Sequence, residues 1–155
     1  MQIFSIEEMV QNNCSVGCCN YTYTTCRGTL NFISGELSHI ESNDGAALTV
    51  ACTDMERNEN MVELILYSLD YAAGTNECKS SILSFMCLYL FPLCDDNGTI
   101  QRPSAENCYK ITNGSCKEVL QSIMLLPGLN GQLTMPNCQT LLDSSPMFSG
   151  KRLYV

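Results

Sequence analysis

The stretch Cys78-Lys-Ser-Ser-Ile-Leu-Ser-Phe-Met-Cys87-Leu-Tyr-Leu-Phe-Pro-Leu-Cys94 decides how this chain is read. Eight residues separate its first two cysteines and six separate the second two. Ile82, Met86 and Leu90 recur one helical turn apart, and Leu83, Phe85, Leu88 and Phe91 extend an apolar run that Pro92 breaks. The spacing predicts a buried helix over residues 80–91 that carries its own cross-link points. A small exported domain uses such points to fix a core that burial alone would not hold.

The rest of the composition agrees with export. Eleven cysteines in 155 residues would be metal ligands or reactive liabilities in a reducing compartment and read more simply as disulfides. Four Asn-x-Ser/Thr sequons, at Asn13, Asn20, Asn97 and Asn113, point the same way. The length suits one domain, and 45% hydrophobic residues suffice for a core. A formal charge of −8 argues against nucleic acid, which needs clustered Lys and Arg, and against a basic membrane-surface patch. Residues 1–13 lack the basic start and apolar core of a signal peptide, and the run from Ile82 to Leu93 is too short to span a bilayer. The sequence is therefore read as an excised ectodomain, with any signal and membrane anchor outside it.

Working outward, residues 56–72 carry Met61, Leu64, Ile65, Tyr67 and Leu69 at helical spacing, ending near Ala73-Gly74. Residues 116–126 form a third predicted helix, with Val119, Leu120, Ile123 and Met124 facing inward and Pro127-Gly128 ending it. Tyr21 to Thr25 are β-prone and place a small β element near residues 20–33. Residues 34–47 read as a surface loop, 46–53 as irregular or the start of a helix, and 95–107 as a turn followed by Pro103. The expected organisation is a lead-in over 1–13, a cysteine-rich domain over 14–138 and a tail over 139–155.

Other chemistry fits poorly. His39 is the only histidine, and it stands in the predicted loop without a nucleophile-elbow motif, so a serine hydrolase is not expected. Cys14, Cys18, Cys19 and His39 lack the spacing of common zinc modules. Asp95-Asp96-Asn97-Gly98 lacks the later bidentate glutamate of a calcium loop. No enzyme activity, metal or cofactor is expected.

The Cys78, Cys87, Cys94 spacing resembles the centre of the Frizzled-type cysteine-rich domain. Cys18 and Cys26-Arg-Gly-Thr-Leu30 resemble that family's first two cysteines and the glycine after them. Pro103-Ser-Ala-Glu-Asn-Cys108, then Cys116 and Cys138, resemble its later helical segment and closing cysteine. Ser104 and Ile65-Leu-Tyr-Ser-Leu69 are similar to the Smoothened-like branch. Two family cysteines are missing together, and Leu126-Pro127 stands where Trp-Pro is usual.

The resemblance implies a mainly α, disulfide-rich extracellular fold with a short β element, and the bridges Cys18–Cys94, Cys26–Cys87, Cys78–Cys116 and Cys108–Cys138. Cys14, Cys19 and Cys52 are left over. Either Cys14–Cys52 or Cys19–Cys52 is easier to close than the vicinal pair Cys18–Cys19. The resemblance further implies a groove walled by Leu66, Tyr67, Leu126, Pro127 and Leu129 that takes a sterol or fatty-acyl ligand. Asp44 or Glu41 is a candidate polar anchor, and ordinary core packing competes with the groove for each apolar wall residue. The implied whole is the ligand-binding domain of a Smoothened-like seven-helix receptor in Hedgehog-type signalling, attached to its transmembrane domain at the plasma membrane. Two alternatives are a Frizzled-like module that binds the acyl chain of a lipidated Wnt-type protein, and a structural or adhesive domain with no small ligand.

Overall fold

The computed structural model describes residues 17–38, 48–94, 99–114, 116–129, 133–134 and 137–141. Within them the domain is mostly helical, with a short antiparallel sheet and several disulfides. The order is β1 (Cys18–Asn20), α1 (Arg27–Ser38), β2 (Thr49–Ala51), α2 (Met55–Tyr71), α3 (Asn76–Leu90), β3 (Leu93–Cys94), β4 (Ile100–Gln101), α4 (Ala105–Thr112), α5 (Cys116–Met124) and a 3-10 turn (Cys138–Thr140).

Helix α3 is the hub. Its N-cap, Thr75, accepts a hydrogen bond from the Cys78 amide through its side chain at 3.2 Å, so it starts one turn earlier than residue 80. Cys78, Ile82, Phe85, Met86, Cys87, Leu88 and Leu90 are all buried, so most of its circumference is covered. The other four helices all pack against it. Each large side chain buried this way stabilises the fold by about 1.5–3 kcal/mol.

The sheet runs β1-β2-β3-β4, with Cys19 opposite Val50, Val50 opposite Leu93 and Leu93 opposite Gln101. Five disulfides tie sheet and helices together. Cys18–Cys94 and Cys19–Cys52 clamp the sheet, Cys26–Cys87 ties the start of α1 to α3, Cys78–Cys116 joins α3 to α5, and Cys108–Cys138 joins α4 to the 3-10 turn. Four of these are the pairings the resemblance implies, and Cys19 takes Cys52. These five bridges among the described residues use ten of the eleven cysteines; Cys14 lies outside the described residues.

Several local expectations need correction. The β element near 20–33 is confined to Cys18–Asn20; residues 27–38 are helical, which also removes the start of the expected 34–47 loop. The helix is anchored by Cys26, Leu30 and Ile33, each at most 1% exposed. Residues 49–51 are a strand rather than a helix start, because Val50 pairs on both sides. The segment read as a turn followed by Pro103 runs into helix α4, where the resemblance implies a helical segment; it begins at the Ser104 cap, whose side-chain oxygen accepts from the Asn107 amide at 3.2 Å. Helix α5 ends at Met124, two residues early. The lead-in over 1–13, the loop residues 39–47 and the tail after 141 lie outside the described residues.

Candidate functional site

Helix α2 positions the candidate site. Asp54 caps it, accepting from the Arg57 amide at 3.2 Å, and Asn58 ties its first turn to α3 by donating to the Leu90 carbonyl at 3.0 Å. The inner face is Met61, Val62, Ile65 and Leu69, each at most 5% exposed. Glu59 is buried on the same helix. Its carboxylate accepts from the Tyr21 hydroxyl at 2.9 Å, the Thr25 amide at 3.2 Å and the Thr25 hydroxyl at 2.6 Å. The Tyr21 hydroxyl in turn accepts from the Cys26 amide at 3.0 Å. Burial pushes the Tyr21 hydroxyl well above its ordinary value, the Cys26 amide opposes that rise, and the Glu59 carboxylate adds to it. This cluster fixes the approach of the β1–α1 turn to α2 and leaves the opposite side of the helix open.

On that open side an indentation of about 400 Å³ is lined by Asp54, Glu56, Arg57, Asn60, Met61, Leu64 and Gly128. Met61 and Leu64 supply apolar surface, and the polar side chains stand around them. Gly128 closes one edge because it has no side chain: a Cβ there would lie 2.5 Å from Leu64 Cδ2. The turn after α5 therefore rests directly on α2.

The predicted wall residues divide. Leu129 is fully buried and belongs to the core. Leu126 is partly buried against the core, and Pro127 is exposed beside Gly128. Tyr67 is 63% exposed and its ring lies 5.0 Å from that of Tyr71. Leu66 is half-buried, and two residues of helix turn it about 200° from Leu64, so it belongs to the other flank of α2. The structure thus brings the 126–129 turn to α2 but uses Leu64 and Gly128 at the contact. Glu41 and Asp44 lie outside the described residues, as does His39. Leu64 was legible only as a core position, and nothing in the sequence marks Gly128 as other than a helix terminator.

Asn20 and Asn113 are exposed; Asn13 and Asn97 lie outside the described residues. Among the described residues no group of His, Cys, Asp and Glu is placed to hold a metal ion. No described helix is long and apolar enough to cross a membrane. Neither protein-family models nor curated proteins give a match to this chain.

Proposed function

We propose that this is an exported, disulfide-clamped domain that binds a sterol or fatty-acyl chain at the face between α2 and the 125–129 turn. By resemblance it is the extracellular ligand-binding domain of a Smoothened-like receptor, attached to a seven-helix transmembrane domain. The supporting observation is the indentation at Leu64 and Gly128. Its volume falls within the range of small-molecule sites, and its mix of apolar floor and polar rim suits an amphipathic lipid with one polar end. It lies beside the 126–129 segment, which the resemblance names as a groove wall. An apolar body placed there would gain about 25 cal/mol per Å² of surface removed from water.

In the whole receptor, occupancy would act by population shift: a lipid that fits one arrangement of domains better favours that arrangement. The alternative occupant, the acyl chain of a lipidated protein, would use the same floor and differ in what lies outside it. The test is direct binding of cholesterol and of palmitate to the isolated domain made in an oxidising host. Saturable binding of either, lost in Leu64→Asp, is expected. A folded domain that binds neither lipid nor an acylated protein leaves a structural or adhesive role and overturns the proposal.

A further inference from the structure

The outward face of α2 carries a second feature, distinct from the indentation. Tyr67 and Tyr71 are 63% and 77% exposed, and their rings lean on each other at 5.0 Å and 49°. Glu63 and Asp70 are exposed on the same face. At 100° per residue, residues 63, 67, 70 and 71 fall within about 100° of one another, and Glu63 and Asp70 are about 10.5 Å apart along the axis. Among the described residues no cation pairs with either carboxylate. Two large rings that stay mostly in water and lean on each other offer contact area at little cost in side-chain freedom, which is the composition of an interface anchor.

We propose that this face docks a basic, arginine-bearing helical segment of a partner protein. Two guanidinium groups two turns apart on the partner would face Glu63 and Asp70, and one between them would lie over the tyrosine rings. Charge selects this occupant over others. A second copy of the chain, docking the same face on itself about a twofold axis, would bring like carboxylates together. An anionic lipid surface would be repelled by the same groups. The chain's net charge of −8 adds long-range attraction for a basic partner.

This proposal stands apart from lipid binding, because Glu63, Tyr67, Asp70 and Tyr71 do not line the indentation. The probe is a synthetic alanine-rich helical peptide with arginines at alternating three- and four-residue spacing, titrated into the isotope-labelled, oxidised domain and followed by backbone NMR shifts. Shifts centred on residues 60–71 are expected. Affinity should fall about tenfold or more in the double variant Glu63→Lys/Asp70→Lys, several-fold in Tyr71→Ala, and several-fold with lysine in place of arginine. All variants replace exposed residues, so an unchanged dispersion of the remaining resonances separates lost binding from lost folding. Four results would overturn the proposal: no shifts, equal affinity for the charge-reversed variant, equal binding of a glutamate-bearing control peptide, or shifts produced instead by self-association or by phosphatidylserine vesicles.

Discussion

Tyr21 and Glu59 stand 38 residues apart in sequence and share a buried hydrogen bond of 2.9 Å. Through it the loop before α1 is fixed to the first half of α2. Glu59 is 4% exposed and accepts three hydrogen bonds from two residues, so its charge is held rather than stranded. Arg27 reinforces the same turn. Its guanidinium donates to the carbonyls of Tyr21 and Tyr23 at 2.9 and 3.0 Å and lies 5.6 Å from the Tyr21 ring centre.

Glu59→Ala should be among the most destabilising single changes on α2. It leaves the Tyr21 hydroxyl and the Thr25 amide without their acceptor. Denaturant unfolding with disulfides intact should show a loss of about 3 kcal/mol. Tyr21→Phe, which removes one of three donors and the acceptor for the Cys26 amide, should lose about 1–2 kcal/mol. Equal stability of Glu59→Ala and the parent would show that the cluster does not hold the loop.

The same pair sets an alkaline limit. In the unfolded chain Tyr21 ionises near pH 10, and in the folded protein its hydroxyl keeps its proton to higher pH. Its contribution is therefore complete below about pH 10 and declines as pH rises through the folded value, with a slope of at most about 1.4 kcal/mol per pH unit. Stability curves for the parent and Tyr21→Phe, taken between about pH 9 and 11, should converge as pH rises. Parallel curves would contradict the assignment.

Gly74 should not tolerate a side chain. Its φ is +153°, and a Cβ there would meet Val119 Cγ2 at 2.8 Å. Gly74→Ala should cost about 1–3 kcal/mol. Adding Val119→Ala should recover only the steric part, since the backbone strain stays. Full recovery in the double variant would mean that crowding alone was at fault.

Cys26–Cys87 should matter most among the bridges. Both cysteines are fully buried, and the bridge spans 61 residues between the start of α1 and the middle of α3. Loop closure alone gives about 4 kcal/mol, to which packing adds. Cys19–Cys52 spans 33 residues and joins strands already paired in the sheet. Replacing each pair by alanine and comparing melting temperatures should rank Cys26–Cys87 as the larger loss. The reverse order would argue against α3 as the hub.

What could be read from sequence follows from how local each signal is. Helices α2 and α3 announce themselves by apolar spacing and by Gly or Pro beyond their ends. Helix α1 does not, because Gly28, Thr29, Ile33 and Gly35 are poor helix formers; its buried Cys26, Leu30 and Ile33 hold it in place. Strands of two or three residues are too short to show alternation, and Val50 becomes a strand residue only because β1 and β3 flank it. The disulfide pairing came through family resemblance, since spacing carries no connectivity. Near the candidate site, Pro127-Gly128 is legible as the end of the third predicted helix. The choice of Leu64 over Leu66, the burial of Glu59 and the exposure of Tyr67 all depend on helix rotation, which the tertiary packing fixes.

The most direct test of lipid binding between α2 and the turn at Gly128 is photo-crosslinking of the oxidised domain with a diazirine sterol and a diazirine fatty acid, followed by peptide mapping. Label competed by unmodified lipid should fall on residues 54–64 and 125–129, and Leu64→Asp should abolish it. Absent label, or label placed elsewhere and indifferent to Leu64→Asp, would contradict it.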